Sequence, residues 1–409
     1  MTTELRILDP SDWDLWYTGL ERAFGGVGEA PEERRLWQDL TEAERSLGAW
    51  DGDVCVGTAG AFSFRMSVPG GSVVPTAGVT MVSVAATHRR RGILTAMMRR
   101  QLDDVRALGE PLAVLTASEP AIYGRFGYGI ASHQMSVAVD STRVRIALPP
   151  GAEDVRLRFA EVGEAAEACE RVYRSTLDSR PGMPRRSPGW ERLPLLDPPS
   201  ERGGGSPLQC VVAERAGRVV GFARFHNKPD WSATGPQGTI SLRDIAAEDP
   251  GAYAALWDFL CGIDLTVSVQ SRNRPVDDPL LHLVSDIRRC EVRVRDTLHA
   301  RPVEVGAALA ARTYRTPVDV VLEVSDAFCP WNEGRWRLSG DAKGASCERT
   351  GDAPELALSV RELGAAYFGG VTLASLARAG RVSELREGAL AEASSAFSSD
   401  VAPWLPHGF

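Results

Sequence analysis

The chain has 409 residues, of which 44% are hydrophobic and 24% are charged, and its formal net charge is −8 at pH 7. This length predicts two or three domains, and the composition is typical of a soluble globular protein. The negative charge gives no attraction to nucleic acid or to an anionic membrane surface, and no run of 18 apolar residues predicts a membrane span.

Cysteine usage and the first residues bear on the compartment in which the protein works. The seven cysteines are scattered, odd in number and never form a C-x-x-C pair. Such usage predicts free thiols in a reducing cytoplasm rather than disulfides or a zinc site. The first residues, MTTELRILDPSDWD, lack the basic and apolar segments of a signal peptide, which also favours a cytoplasmic protein.

The first 140 residues alternate between strand and helix patterns. Asp51–Asp53 forms a turn between two β-rich runs, and residues 74–84, VPTAGVTMVSV, are predicted to form a strand. Residues 89–108 follow with apolar side chains at helical spacing, and Gly109 and Pro111 end that helix. A buried strand in LAVLTA and a short helix in EPAIYGRFGYGI complete this part of the chain.

The middle third repeats this plan. CVVAERAGRVVGFARF predicts a hairpin, and TISLRDIAAEDPGAYAALWDFLCGI predicts a strand followed by a helix. Where the first copy has basic residues before its helix, this copy has Glu248, Asp249 and Pro250, and two carboxylates would repel a phosphate. We therefore expect a duplicate that has lost its anion site. The Pro- and Gly-rich connection at residues 178–207 is expected to be a mobile surface loop.

From about residue 300 the pattern changes to that of a compact α+β domain. A three-stranded meander is predicted, with turns at Asn332–Gly334 and Ser339–Gly344. Two short helices separated by Gly369 and Gly370 follow, and then a final amphipathic helix. The chain ends in VAPWLPHGF, where prolines and glycine exclude a helix, so that an apolar tail must run extended.

The segment VTMVSVAATHRRRGILTAMM carries the most chemical information, because a strand ends there and a helix begins at an Arg-rich loop. A helix N-terminus presents unpaired N–H groups and a partial positive charge, which suit a pyrophosphate. Gly92 allows close approach of the backbone, and the arginines add forked donors. Only Lys228 and Lys343 of the 46 basic residues are lysines, so an arginine triplet alone would favour a solvated helix start. The preceding strand and the apolar helix favour the phosphate site.

VSVAATHRRRGIL resembles the acyl-CoA pyrophosphate loop of GNAT-type N-acetyltransferases, and LTASEPAIYGRFGYG resembles their closing strand, short helix and Phe-Gly-Tyr turn. With its second copy and its α+β end, the whole chain resembles the Eis family of bacterial N-acetyltransferases. The resemblance implies α/β and α+β architecture, with mixed sheets flanked by helices. It implies a catalytic GNAT domain over residues 1–150, a degenerate GNAT-like domain over 151–300 and a sterol-carrier-protein-like domain over 301–409.

The resemblance also implies roles for single residues, with acetyl-CoA as cosubstrate and no metal. Tyr123 falls on the family's general acid, and Phe409 on the residue whose terminal carboxylate is the general base, so that the tail would return to the N-terminal active site. Trp37 would line the acceptor pocket, although its sequence context fits burial against the core equally well. The residues that fall on the cofactor positions are Val82, Ser83, Val84, Arg89, Arg90, Arg91, Gly92, Ile93, Leu94, Thr95, Ser118 and Glu119.

The chemistry of acyl transfer fits these roles, with alternatives that the sequence leaves open. Tyr123 could donate a proton to a leaving thiolate, or it could be a half-buried aromatic residue whose hydroxyl contacts water. A terminal carboxylate has a reference pKa of about 3.3–3.7, so Phe409 could act through a water, could orient an ammonium group, or could fill an apolar hole. Gly408 stands where aminoglycoside-acetylating members tend to carry an acidic residue, which weakens the expected binding of polyamines.

The leading hypothesis is an acetyl-CoA-dependent N-acetyltransferase that acts on amino groups of small, polyamine-like cationic molecules, with aminoglycosides as the family precedent. The resemblance implies a homo-hexamer, and neither nucleic acid nor membrane is an expected partner. One alternative keeps the chemistry but has protein lysine or an arylamine as acceptor. Another is a non-catalytic protein that binds CoA or an apolar ligand.

Overall fold

The computed structural model describes residues 3–409 and divides the chain into two compact units. The first unit extends to Ser132 and also contains Arg180–Arg185 and Asp296–Phe409, and the second contains His133–Ser179 and Arg186–Arg295. Within residues 3–409, no helix is long and apolar enough to cross a membrane.

Strands and helices alternate along most of the described chain. The strands are β1 Glu4–Ile7, β2 Leu47–Asp51, β3 Val54–Ser67, β4 Val73–Val84, β5 Leu112–Thr116, β6 Gly129–Ile130, β7 His133–Asp140, β8 Arg156–Ala160, β9 Gln209–Arg215, β10 Arg218–Lys228, β11 Trp231–Ser232, β12 Gly235–Pro236, β13 Gly238–Ala247, β14 Thr266–Pro275, β15 Arg293–Asp296, β16 Leu298–Pro302, β17 Val318–Ser325, β18 Gly334–Asp341, β19 Gly344–Arg349, β20 Leu356–Ser359 and β21 Val382–Glu384. The α-helices are α1 Trp13–Ala23, α2 Pro31–Leu40, α3 Ile93–Ala107, α4 Val162–Thr176, α5 Pro250–Cys261, α6 Leu280–Leu283, α7 Val305–Ala310, α8 Val360–Ala366, α9 Leu373–Arg378 and α10 Ala389–Phe397.

The first unit is built on a seven-stranded mixed sheet in the order β1-β2-β3-β4-β5-β16-β6. Only β4 and β5 are parallel, and they pair over three residues, Thr76–Gly78 with Leu112–Val114. The helix α3 connects these two strands and buries Met98, Leu102 and Val105 against them, at the helical spacing that the sequence shows.

The second unit repeats this plan in a sheet of order β15-β7-β14-β13-β10-β9-β8, with β13 and β14 parallel and α5 between them in the chain. The two sheets do not follow the domain boundaries that the sequence suggested at residues 150 and 300. The strand β7 lies in the second sheet, and β16 lies in the first sheet between β5 and β6. These exchanges pair residues far apart in the chain, which no local pattern indicates.

In the second unit the chain fills the place where β13 and β14 part. Pairing with β14 ends at Leu242, and the buried guanidinium of Arg274 lies beyond it, where it donates to the carbonyl of Ile245 at 3.4 Å and to Asp278 at 2.7 Å. The side chain of Asp249 caps the N-terminus of α5 and accepts an N–H of its first turn at 2.9 Å. The chain's own carboxylate thus lies where an anion would bind, as expected of a copy without an anion site.

The C-terminal part of the first unit has a five-stranded sheet of order β19-β18-β17-β20-β21. The strands β17, β18 and β19 form the predicted meander, and β20 adds to β17 in parallel. In its core the buried side chain of Arg312 donates to the carbonyls of Tyr367 and Phe397, next to the C-terminal ends of α8 and α10. A cation at the ends of two helices complements the negative ends of their dipoles.

A buried ion pair joins this sheet to the N-terminal one within the first unit. Arg301, on β16, donates to both carboxylate oxygens of Asp326 at 2.8 and 3.1 Å, and both side chains are fully buried. Asp326 also accepts from the amide of Asn332 at 2.9 Å and from the backbone N–H of Cys329 at 3.0 Å. The pair therefore fixes the position of the turn after β17 against the N-terminal sheet.

The expectation of a mobile surface loop over residues 178–207 is wrong for its first part. Residues 181–184 are buried. The segment Arg180–Arg185 lies beside the C-terminal end of β3 and pairs with it through antiparallel hydrogen bonds. Proline and glycine make this stretch resemble a loop, but a partner strand more than 100 residues away orders it. Composition alone does not show such a partner.

We predict that Asp326→Ala destabilises the first unit by about 3–5 kcal/mol, because Arg301 would stay buried without a counter-charge. Urea unfolding followed by tryptophan fluorescence measures the change. Asp319→Ala is the matched control, since Asp319 pairs with Arg337 at 2.7 Å on the surface and should cost much less. Equal stability of the two variants would contradict a structural role for the buried pair.

Candidate active site

A cavity of about 780 Å³ opens in the first unit. Its walls come from the C-terminal half of α1, from α2, from the second half of β4, from the start of α3 and from the turn after β5. Phe409, the last residue of the described chain, lines the same cavity. This is the size expected of a small-molecule site.

The cavity exists because β4 and β5 part. Their pairing ends at Gly78 and Val114, while β4 continues to Val84 and stays bonded to β3 on its other side. A β-bulge, with Met81 at φ +52°, breaks the register with β3 at this point. Beyond Gly78, β4 therefore turns towards the cavity an edge that pairs with no strand of the described part of the chain, and an extended ligand with amide groups could pair with this edge.

The predicted phosphate loop forms the next wall. Gly92 precedes α3 with φ +81°, and no side chain within residues 3–409 caps the helix, so its first N–H groups are available to a ligand. Arg89 and Arg90 line the cavity beside these N–H groups. Arg91 is not among the residues that line the cavity. Its guanidinium donates to the carbonyl of Thr87 at 3.0 Å and so stabilises the loop itself.

The structure brings together nearly all of the residues that the sequence assigned to cofactor positions. Ser83 uses its hydroxyl within the sheet, 2.7 Å from that of Thr58. The assigned residues that line the cavity are Val82, Ser83, Val84, Arg89, Arg90, Gly92, Ile93, Leu94, Thr95, Ser118 and Glu119.

Tyr123 lies in the wall opposite β4. It begins a short 3₁₀ turn, Tyr123–Phe126, and its ring meets that of Tyr128 edge-on at a centroid distance of 6.1 Å. Burial, and secondly the negative charge of Glu119, raise the pKa of Tyr123 above its ordinary value. The hydroxyl therefore keeps its proton to a higher pH than a solvent-exposed tyrosine does, as a proton donor requires.

The end of the tail lies where the strands part. The ring of Phe409 packs edge-on against Phe64 at 4.9 Å, and a Cβ added at Gly78 would come within 3.4 Å of it. Phe409 is only half-buried, because part of it faces the cavity. The extended tail of the sequence prediction thus reaches the same cavity as Tyr123.

The far end of the cavity carries acidic residues that sequence reasoning did not identify. The hydroxyl of Tyr17 donates to Glu29 at 2.5 Å, and burial together with this bond raises the pKa of Tyr17. Glu21 pairs with Arg34 at 2.8 Å. The lining residues missed from sequence include Tyr17, Glu21, Phe24, Val27, Glu29 and Glu33. Their only signal was the density of glutamates around the glycines in ERAFGGVGEAPEE.

Trp37 does both things that its sequence context allows. Its ring stacks on the buried Phe62 at 6.3 Å, and it also lines the cavity on the side of Glu33. An aromatic ring next to carboxylates suits an organic cation. Among residues 3–409, no cluster of His, Cys, Asp and Glu has the arrangement of a metal site.

Three family models match separate parts of the chain. Residues 4–131 and residues 182–302 each match a family described as an acetyltransferase (GNAT) domain. Residues 305–406 match a family described as a sterol carrier protein domain.

The similarity to known proteins extends over the whole chain. An uncharacterized N-acetyltransferase of Streptomyces avermitilis is 68% identical over 409 residues, which are 100% of both chains. The N-acetyltransferase Eis of Mycobacterium tuberculosis is 33% identical over 389 residues, which are 91% of each chain. The crystal structure of Eis1 from Mycobacterium abscessus superposes with a TM-score of 0.85 at 34% identity and covers 100% of both chains. The resemblance inferred from the sequence is thus confirmed, and the chain belongs to the Eis family of GNAT N-acetyltransferases, with two GNAT domains followed by a sterol carrier protein domain.

Proposed function

We propose that this N-acetyltransferase transfers the acetyl group of acetyl-CoA to a primary amine of a small polycationic molecule, with aminoglycosides as the first candidates. One observation carries the proposal: a single cavity holds an uncapped helix N-terminus, an unpaired strand edge, Tyr123, Phe409 and several glutamates. A cytoplasmic homo-hexamer, as in the implied family pattern, is part of the same proposal.

The cavity residues suit acetyl-CoA. The N–H groups at the start of α3, with Arg89 and Arg90, would hold the diphosphate, and the edge of β4 at Val82–Val84 would pair with the amides of the pantetheine arm. When bound, the cosubstrate supplies the acetyl group as an activated thioester. Ser118 and Glu119 lie on the opposite wall, next to the turn that begins at Tyr123.

Tyr123 serves as the proton donor in this proposal. Its raised pKa keeps the hydroxyl protonated, and Tyr123 lines the cavity in which the departing thiolate would form. The edge-on contact with Tyr128 restricts the ring, so the hydroxyl needs little reorganisation.

The carboxylate of Phe409 serves as the anion at the acceptor. Packing against Phe64 fixes the residue at the parting of the strands, at the cavity wall. A terminal carboxylate, with a reference pKa of about 3.3–3.7, is ionised at neutral pH. It attracts the substrate's ammonium group, orients it, and takes up its proton either directly or through a water.

The glutamates that line the cavity support a cationic acceptor with more than one amine. Glu21, Glu29, Glu33 and Glu119 line one cavity, and Glu21 pairs with Arg34 at 2.8 Å. Clustered negative charge concentrates cations and steers them inward. Gly408 adds no charge at the tail, so the glutamates of the far wall are the main anionic contacts for the additional amines.

The proposal predicts release of free CoA thiol when the enzyme is mixed with acetyl-CoA and an aminoglycoside such as kanamycin. Release is followed with a thiol reagent, and mass spectrometry counts the acetyl groups on the product. Lysine peptides and arylamines are compared at the same concentration. Turnover with these acceptors and none with aminoglycosides would replace the proposed substrate class.

We predict that Tyr123→Phe lowers kcat about 100- to 10,000-fold without weakening CoA binding measured by calorimetry, because only the transferable proton is lost. Tyr128→Phe is the matched control. It removes a buried hydroxyl that has no hydrogen-bond partner among residues 3–409 and should leave kcat nearly unchanged.

The pH profile gives a second measure of the same residue. Because burial and Glu119 raise the pKa of Tyr123, loss of this proton should reduce kcat only above pH of about 10. Glu119→Gln removes one of the two causes, so the alkaline limb should move to lower pH. An unchanged kcat in Tyr123→Phe would exclude the role as donor.

We predict that deletion of Phe409 abolishes most turnover while CoA binding and melting temperature persist, because the carboxylate is displaced by one residue. A short C-terminal extension should have the same effect. Phe409→Leu keeps the carboxylate and loses only the ring contact with Phe64, so it should retain more activity than either. Full activity in the deletion variant would remove the carboxylate from the mechanism.

A further inference from the structure

The tail that carries Phe409 is anchored at its start. After α10 ends at Phe397, the N–H of Ser399 donates to the carbonyl of Gly369 at 3.2 Å. Pro403 packs on the backbone of Gly370, where an added Cβ would meet it at 2.6 Å. These contacts fix the direction in which the tail leaves the C-terminal domain.

A second element meets the tail from the other side. The segment Arg180–Arg185, which we call the strap, is the part of the inter-domain connection that belongs to the first unit. Ser67, at the end of β3, bonds it through its main chain, donating to the carbonyl of Met183 at 2.9 Å and accepting from the N–H of Gly182 at 2.8 Å. The fully buried Ser67 hydroxyl donates to the carbonyl of Arg180 at 2.7 Å. The strap is therefore fixed to the same strand, β3, that carries Phe64.

The strap in turn holds the middle of the tail. The guanidinium of Arg180 donates to the carbonyl of Ala402 at 2.6 Å, and the N–H of Trp404 donates to the carbonyl of Pro181 at 2.9 Å. Gly182, at φ +87°, faces Trp404 so closely that an added Cβ would lie 3.2 Å from its nitrogen and 3.3 Å from its carbonyl oxygen. A side chain at residue 182 would be strained at this φ, and the backbone of Trp404 would have to shift by a few tenths of an ångström to make room for it.

We propose that the strap is a positioning element for the terminal carboxylate, with Ser67 and Gly182 as positioning residues that never touch substrate. The inference rests on the proposed role of Phe409. Only four residues lie between Trp404 and Phe409, and the first of them, Leu405, is buried. A shift of the tail at Trp404 is therefore passed on to the carboxylate, and misplacement of a reacting group by about 1 Å can cost 100-fold in rate.

Gly182→Ala tests the proposal, with Gly204→Ala as its control. Gly204 lies in the same connection at φ +85°, but nothing lies within 4 Å of its added Cβ. Both variants carry the strain of a left-handed alanine, and only one displaces the tail. We expect kcat to fall about 10- to 100-fold in Gly182→Ala, with KM for acetyl-CoA unchanged and Gly204→Ala at the native rate.

Combination with deletion of Phe409 separates positioning from general damage. If the strap acts through the carboxylate, Gly182→Ala has no further effect on kcat once Phe409 is removed, whereas structural damage would add to the deletion. Ser67→Ala repeats the cycle with a milder change, which loosens the strap by removing the bond to the Arg180 carbonyl. It decides the question if Gly182→Ala fails to fold.

The two proposals fail in distinguishable ways. A deletion of Phe409 that keeps native turnover would overturn the role of the carboxylate itself. A deletion that loses turnover, together with Gly182→Ala and Ser67→Ala at the rate of Gly204→Ala, would overturn the strap alone. If the losses of kcat in the double variants are additive, the role of the strap is overturned in the same way.

Discussion

The parting of β4 from β5 after Gly78 is the constraint on which the rest of the site depends. A parallel pair bonded along its whole length would leave no space and no free main-chain groups between the two strands. Because pairing stops after three residues, β4 keeps an open edge, α3 begins beside it, and Tyr123 lies across the gap. The last residue of the tail packs beside Gly78 itself, at the point where the gap opens.

The second GNAT domain shows what happens when the same gap is filled from within. There Arg274 reaches a main-chain carbonyl of β13 and pairs with Asp278, while Asp249 caps α5. These polar groups form hydrogen bonds within the domain itself, as buried polar groups generally do. The two GNAT domains thus share one topology. Polar side chains near the ends of the two parallel strands fill the gap in the second domain, whereas the gap in the first domain forms the cavity.

Local sequence signals were enough for the parts of the site that one segment builds. The loop before α3 and the turn at Tyr123 follow from glycine, arginine and apolar spacing within about 40 residues. The acidic wall was missed although its residues lie in one segment, because Tyr17, Glu21, Glu29 and Glu33 form no recognisable motif, and which of them face the cavity depends on how α1 and α2 pack. The strap was predicted to be mobile because its proline and glycine content indicates a loop, whereas its order depends on Ser67, more than 100 residues earlier. Pairing over such distances leaves no periodic pattern to detect.

The insertion of β16 into the N-terminal sheet has a consequence for biosynthesis. Until residues 298–302 leave the ribosome, β5 has no neighbour on one side and its main-chain groups there face solvent. Contacts between such distant segments form late, because a long loop must close first. The nascent N-terminal GNAT domain therefore keeps one edge of β5 exposed until about three quarters of the chain has been synthesised. A fragment cut after the first domain would expose that edge permanently.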